Sequence, residues 1–392
     1  MDSTKVFSSL AVDLSCSKCR KNYPINQLQY YSTCCNKPLI VNYPEKPDFK
    51  KEELVGRESS MWRYLEMLPV FEIKNIVSLG EGMTPILEMD RLAVKYGFSD
   101  LKMKDEGLNP TASFKARGIS MAISKAKELG VTECVTPTAG NAGGAMSAYC
   151  AAAGMKATVL MPNFTPKIFQ DECRFFGAEV ILVDGMIDKC GEMSVQIQKE
   201  TGAFNISTLK EPYRLEGKKT MGYEIAEQLN WELPDVILYP TGGGTGLIGI
   251  WKAFHEMMAM GWIPENTKLP RMVVVQSANC TPMVDMINGK EQNLNAYGES
   301  IANGLAVPKA FGEDLIHQVV KESKGMAVAV TEEQIMEGVK EICATEGICV
   351  APEGAAVWMA LRDLSQNGFI SKEEKVLLLN TGSGYKTFEE YR

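Results

Sequence analysis

The chain has 392 residues, of which 45% are hydrophobic, 23% charged and 8% aromatic, the proportions of a folded globular protein of two or three domains and not of a disordered one. Lys and Arg total 41 against 49 Asp and Glu, a net charge of -8, so the basic footprint that nucleic acid requires is missing. Two histidines are too few for a metal site built on several imidazoles and make a Ser-His-Asp triad a poor choice, so the chemistry has to come from other side chains.

At the N-terminus, Asp2, Asp13 and scattered apolar residues do not match a signal peptide, and nowhere does an apolar run reach the 18 residues of a membrane span. Eleven cysteines, an odd number, are spread through apolar stretches (Cys134, Cys150, Cys173, Cys343, Cys349) and read as reduced thiols of a cytoplasmic protein. Residues 1–45 form a separate module. Its Cys16-Ser-Lys-Cys19 knuckle is intact, whereas Cys34 and Cys35 are adjacent, a spacing at which both seldom reach one metal. Cys16, Cys19 and Cys35 are the zinc-ligand candidates, with a metal-free remnant as the alternative. Tyr43 to Met61, with Pro44, Pro47 and a run of charge, reads as a linker.

From Leu101 onward short β-rich runs alternate with amphipathic stretches. The expected strands are 101–104, 133–137, 157–161, 179–183, 235–239, 272–276 and 375–379, and the expected helices include 114–129, 141–153, 167–176 and 247–260. Such alternation predicts parallel sheets covered by helices, with ligands at the carboxyl ends of the strands.

Four loops carry the chemistry. Asn109-Pro-Thr-Ala-Ser113-Phe-Lys115 leads into a helix, and a lysine in a first turn, near the positive helix end and poorly solvated, is favoured as a neutral amine able to form a Schiff base. Thr138-Ala139-Gly140-Asn141-Ala142 joins a strand to a helix; its amides suit a substrate carboxylate, and Asn141 can donate to a ring hydroxyl. Thr241-Gly242-Gly243-Gly244-Thr245-Gly246 is a phosphate cradle, since successive glycines let N–H groups converge on an anion at a helix start. It also fits G-x-G-x-x-G, but the next strand ends in Gln276-Ser277 without the acid a dinucleotide needs, and Ile250 stands where a nucleotide P-loop has lysine. Asn380-Thr381-Gly-Ser-Gly384 puts a hydroxyl after a buried strand, fit to face a pyridine nitrogen and leave it largely unprotonated. A lysine amine paired with a phosphate cradle is what pyridoxal phosphate requires.

These loops resemble those of the fold-type II pyridoxal-phosphate enzymes, and Met61-Trp-Arg-Tyr64, Ser78-Leu-Gly-Glu-Gly-Met-Thr-Pro85 and Pro212-Tyr-Arg214-Leu-Glu-Gly-Lys-Lys-Thr220 extend the resemblance to the threonine synthases over nearly the whole chain. The resemblance implies an α/β fold of two parallel-sheet domains with the cofactor in the cleft: 46–130 with 205–392 as the large cofactor-binding domain and 131–204 as the small one. It further implies that Lys115 forms the Schiff base and shuttles protons, and that Asn141 meets the ring hydroxyl and Thr381 the ring nitrogen. Gly242, Gly243, Gly244, Thr245 and Gly246 then bind the cofactor phosphate. Thr138, Ala139, Gly140 and Ala142 line the substrate, Arg214 takes its phosphate, and the protein is a homodimer. Threonine synthases convert O-phosphohomoserine and water to threonine and phosphate.

Four positions depart from the family's usual pattern: Ala139 and Ala142 where hydroxyl residues are common, Ala116 after the lysine where Asp is frequent, and Glu211 before Pro-Tyr-Arg where Asn is frequent. They bear on the substrate. The competing readings are therefore a β-replacement enzyme such as a cysteate synthase, acting on O-phosphoserine and sulfite, and a dehydratase or ammonia-lyase. From another class comes a non-catalytic cofactor-binding protein, which the joint presence of Lys115, Asn141 and Thr381 argues against.

Overall fold

The computed structural model describes residues 8–391. Three short strands come first, β1 (Asp13–Cys16), β2 (Asn22–Tyr23) and β3 (Leu39–Asn42). Next are β4 (Ile86–Glu88), α1 (Asp90–Tyr96), β5 (Asp100–Asp105) and α2 (Lys115–Glu128). Strict alternation follows: β6 (Glu133–Pro137), α3 (Asn141–Ala153), β7 (Lys156–Pro162), α4 (Lys167–Phe175), β8 (Glu179–Val183), α5 (Ile187–Thr201) and β9 (Phe204–Asn205). Then come α6 (Tyr213–Gln228), β10 (Val236–Pro240), α7 (Thr245–Ala259), β11 (Arg271–Ser277) and α8 (Pro282–Ile287). The last elements are α9 (Glu313–Glu322), β12 (Met326–Val330), α10 (Glu332–Glu346), α11 (Pro352–Gln366) and β13 (Lys375–Asn380).

By its internal contacts the chain divides into two compact units: residues up to Met83 with Lys115–Met221 and His255–Glu265, and Thr84–Phe114 with Gly222–Phe254 and Asn266 onward. The first unit holds two sheets. β2-β1-β3 is antiparallel, with Cys16 opposite Leu39, over a small core of Leu14, Cys16, Leu39 and Val41. β8-β7-β6-β9 is wholly parallel. Helix α3 packs on it with no charged residue in its sequence and is buried from Gly143 through Cys150, as a helix apolar on all sides must be.

The segment expected to be a linker is instead clamped within this unit. Phe49 meets Trp262 edge to face at 4.9 Å, the Trp262 indole N–H donates to the Phe49 carbonyl at 2.6 Å, and the Tyr43 hydroxyl donates to Glu216 at 2.8 Å. Most of its charged residues and Pro44 stay exposed, while Phe49 and Leu54 are buried and fix the segment to the unit.

In the second unit the strand order is β12-β11-β10-β13-β5-β4, parallel except for the short β4. Its central strands, Val-Ile-Leu-Tyr-Pro in β10 and Lys-Val-Leu-Leu-Leu-Asn in β13, read as continuous apolar runs because helices cover both faces. From β10 the chain moves outward to β11 and β12, then returns on the other side as β13. The loops leaving β10 and β13 are thus neighbours at the point where the strand order reverses, the place in an open α/β sheet where ligands bind. Among the described residues no helix is long and apolar enough to cross a membrane.

Candidate active site

The glycine loop leaves β10 in the second unit. The Thr241 N–H donates to the Val275 carbonyl at 2.8 Å and its hydroxyl to the Tyr239 carbonyl at 2.9 Å, which pins the first residue of the loop. Side chains are not tolerated after it: a Cβ on Gly242 would lie 2.1 Å from the Gly304 carbonyl oxygen, and Gly244, at φ +72°, abuts Ile316. The loop ends at Thr245, the first residue of α7, whose first-turn N–H groups have no acceptor within the helix. Gln276 stands where a dinucleotide fold needs an acid, and its amide serves the fold: it donates to the Thr241 carbonyl at 3.2 Å and accepts from the Met283 N–H at 2.9 Å.

At the end of β13, Asn380 donates to Asp105 at 2.7 Å and accepts from the Ala351 N–H at 3.2 Å. Burial pushes the Asp105 carboxyl up, opposed by that amide and by the Gly107 N–H. Thr381 follows, buried, and its carbonyl accepts from the Phe114 N–H at 3.1 Å. Ser113 bridges Gly382, the Ser383 N–H donates to the Ala112 carbonyl at 3.0 Å, and Lys386 donates to the Thr111 carbonyl at 2.8 Å. Held this way, Thr111 and Ala112 adopt φ of 58° and 54°, a costly conformation for side-chain-bearing residues. Phe114 also faces Tyr239 at 6.4 Å between ring centroids. The residues that lead up to Lys115 are thus held by the loop that leaves β13 and by Tyr239 of β10. The buried Ser113 hydroxyl has no hydrogen-bond partner among the described residues.

In the first unit, Lys115 is the first residue of α2 and half-buried. Asn141 opens α3, and the Thr138 hydroxyl accepts from the Gly140 N–H at 3.1 Å, shaping the turn before it. Ala139, Gly140 and Ala142 are half-buried on the same turn. A fully buried carboxylate, Glu81, joins the two helices: it accepts from the Ser120 hydroxyl of α2 at 2.6 Å and from the Tyr149 hydroxyl of α3 at 2.5 Å. It also accepts from the Trp62 indole at 2.7 Å and the Leu79 N–H at 2.9 Å. Burial and the adjoining Glu81 charge push the Tyr149 phenol up, so it remains a donor at every ordinary pH.

Helices α2 and α6 touch backbone to backbone. A Cβ on Gly217 would lie 2.1 Å from the Arg117 carbonyl oxygen, and one on Gly118 would lie 2.8 Å from the Arg214 carbonyl oxygen. Arg214 is 1% exposed; its Nη1 donates to the Ile206 carbonyl at 2.8 Å, while Nε and Nη2 have no partner among the described residues. Glu211, one of the departures from the usual pattern, caps α6 by accepting from the Tyr213 N–H at 2.7 Å and the Arg214 N–H at 3.1 Å. Sequence reasoning passed over Lys218 and Glu81, because their place depends on which helix faces which.

In the N-terminal ribbon the sulfur atoms of Cys16, Cys19, Cys34 and Cys35 all lie within 4.8 Å of one another, and Cys19 and Cys34 are 3.3 Å apart. Cys34, set aside on spacing, belongs to the cluster, because the turn after Ser32 folds both neighbours toward the knuckle.

The second unit offers an anion cradle of glycine amides and a buried hydroxyl, and the first an amine and a carboxamide, each at a helix start, residue types that suit a phosphorylated aldehyde. Residues 77–382 match the family described as pyridoxal-phosphate dependent enzymes. The chain is 35% identical to a threonine synthase of Methanocaldococcus jannaschii, over 95% of this chain and 92% of that protein, and 32% identical to a threonine synthase of Methanosarcina acetivorans, over 94% and 91%. Among solved structures it resembles maize serine racemase, with a TM-score of 0.66 at 24% identity over 79% of this chain and 93% of that one, a likeness of fold.

Proposed function

The chain belongs to the pyridoxal-phosphate dependent enzymes, and from that premise we propose that it is a threonine synthase, a lyase converting O-phosphohomoserine and water to threonine and phosphate. The observation that carries the reading beyond the cofactor is Arg214: a buried guanidinium beside the helix of Lys115, two of whose nitrogens have no partner among the described residues, suits a phosphorylated substrate. Bound pyridoxal phosphate supplies an electron sink for charge that develops on the substrate's carbon atoms. In this reading the amides of Gly242, Gly243, Gly244, Thr245 and Gly246 hold the cofactor phosphate, Asn141 donates to the ring oxygen, and Thr381 meets the ring nitrogen without protonating it. Lys115 holds the cofactor through its amine and moves protons at the substrate's α- and β-carbons. The amides around Thr138, Ala139, Gly140 and Ala142 take the substrate carboxylate.

O-Phosphohomoserine added to the purified holoenzyme is expected to yield threonine and phosphate in equal amounts. Cysteate from O-phosphoserine and sulfite, with no threonine from phosphohomoserine, would replace this reading by the β-replacement one. Two sheet-based bodies, with 131–204 as the smaller, a homodimer, and a cytoplasmic setting in keeping with eleven free thiols complete the proposal.

Zinc in the ribbon is a further part of it. Four thiolates this close match a tetrahedral Cys₄ site. Metal analysis of the purified protein is expected to find about one zinc per chain, lost in the Cys16→Ser/Cys19→Ser variant; metal-free protein whose four thiols all react with a thiol reagent would refute the site.

A further inference from the structure

Helix α6 begins with a buried acid and a buried base whose side chains do not bond each other. Glu211 and Arg214 are each 1% exposed. One oxygen of Glu211 accepts from the Tyr213 N–H at 2.7 Å and the Arg214 N–H at 3.1 Å, while the other, Oε1, has no partner among the described residues. The guanidinium bonds elsewhere, Nη1 donating to the Ile206 carbonyl at 2.8 Å and to the Thr208 hydroxyl at 3.4 Å. The two groups are still close enough to act on each other. Burial pushes the Glu211 carboxyl up, opposed by the Arg214 charge, by the two N–H groups that cap α6 and by the charge of Lys218, itself buried one turn further on. Burial, with the Glu211 charge behind it, likewise holds the Tyr213 phenol up. A buried carboxyl oxygen left without a partner is costly, and it can be satisfied in two ways: ionised, it accepts a proton from a neighbour; protonated, it donates one. A phosphate group has its second ionisation at about pH 6, so near neutral pH it can play either part. A sulfate or sulfonate is fully ionised, has no proton to give, and sets like charge against the carboxylate.

We propose that Glu211 is a specificity-determining residue, which shares one proton with the phosphate group of the substrate and so admits phosphate while rejecting sulfate and sulfonates. The proposal rests on the threonine synthase reading, which brings a phosphorylated substrate to Arg214; what it adds is the acid and the selectivity that follows from it. Arg214 attracts any oxyanion, because a guanidinium donates to sulfate as readily as to phosphate. Discrimination has to come from a group that asks for a proton. With phosphate the proton lies between Oε1 and a phosphate oxygen, and no bond to carbon or phosphorus is made or broken. With sulfate, a far weaker base, the carboxyl has to hold the proton alone. Once pH exceeds the ionisation of both the carboxyl and the phosphate, binding must take up one proton, and the affinity falls by about tenfold per pH unit.

Inorganic phosphate and sulfate, titrated separately into wild-type holoenzyme near neutral pH, are the probes. Phosphate is expected to bind about tenfold to hundredfold more tightly than sulfate. In Glu211→Gln one oxygen remains to cap α6 and an amide N–H, which donates to either anion, replaces Oε1, so sulfate affinity is expected to rise to that of phosphate. The pH profile separates this role from a merely structural one: the loss of phosphate affinity with rising pH seen in wild type is expected to be absent from Glu211→Gln. Equal affinity of wild type for the two anions would overturn the proposal, as would a preference for phosphate that survives unchanged in Glu211→Gln. Should that variant not fold, a crystal of wild-type holoenzyme soaked in phosphate decides the matter: a phosphate oxygen within about 3 Å of Glu211 Oε1, a distance two such oxygens keep only with a proton between them, supports the assignment, and a phosphate held away from Glu211 refutes it. Selective phosphate binding through Glu211 without threonine from O-phosphohomoserine would remove the functional reading and leave the site. Threonine formation by an enzyme that binds sulfate as tightly as phosphate would remove only the role of Glu211.

Discussion

Lys115→Ala holoenzyme is expected to lose the visible absorbance of lysine-bound cofactor and to form threonine at least about a thousandfold more slowly, while melting close to wild type. The size of the effect follows from the number of tasks placed on one amine. In the proposed function it anchors the cofactor and carries protons at two adjacent carbons. Stability should be nearly unaffected, because Lys115 is half-buried in the first turn of α2 and alanine is the better helix former. Other groups also keep its approach loop in place. Phe114 bonds Thr381, Ser113 bridges Gly382 and Lys386 bonds Thr111, all through groups other than the Lys115 amine. Cofactor should therefore still bind non-covalently at the glycine loop, removable by dialysis where wild type retains it. Full turnover in Lys115→Ala, measured as threonine formed per minute, would remove Lys115 from the chemistry and with it the reading of the Ser113-Phe-Lys115 loop.

The alternating part of the fold was legible in the sequence for a local reason. Parallel strands buried on both faces appear as short apolar runs, and β6 and α3 begin and end where periodicity puts them. Strands whose pattern is set by partners far away in sequence were not legible. Met-Ala-Val-Ala-Val of β12 is an edge strand between two helices, and β1, β2 and β3 each have four residues or fewer, too short to show a period. Loop chemistry behaved in the same way. The proposed anion cradle rests on Gly242, Gly243, Gly244 and Gly246, where backbone without side chains is itself the signal. By contrast, Lys218 looks like any lysine on a helix until Gly118 and Gly217 bring α2 against it. Cys34 was discounted on a spacing rule that assumes a straight backbone, and Asn36, at φ 51°, lies in a tight turn at that point. The expected linker failed because charge and Pro44 mark the exposed residues of the segment, whereas the buried Phe49 and Leu54 fix it to the unit.

Lys104→Met is expected to destabilise the protein by about 3–5 kcal/mol, because it strands a carboxylate that has no access to water. Lys104 and Glu224 are both fully buried, 3.0 Å apart. The same ammonium donates to the Thr84 carbonyl at 2.9 Å and Gln228 Oε1 at 3.0 Å, and the buried Glu106 carboxylate lies 3.9 Å from it. At roughly 2–4 °C per kcal/mol for domains of this size, the melting temperature should fall by about 6–20 °C. Breaking such a pair and deleting it are different experiments. Lys104→Met/Glu224→Leu removes both charges, so it should recover much of the loss, since well-packed apolar side chains replace buried ion pairs at little cost. A double variant that melts as low as the sum of the two single variants would show that Glu224 is not stranded and that the pair is not the cause. The damage should also reach the site. Glu106 accepts from the Thr84 hydroxyl at 2.6 Å and from the Asn109 amide at 2.8 Å, and Asn109 opens the strained turn that ends at Lys115. Thr84 thus serves both Lys104 and Glu106, so a Lys104→Met protein that still folds is expected to hold pyridoxal phosphate more weakly, read as a higher cofactor concentration for half-maximal absorbance, while the double variant recovers stability and affinity together.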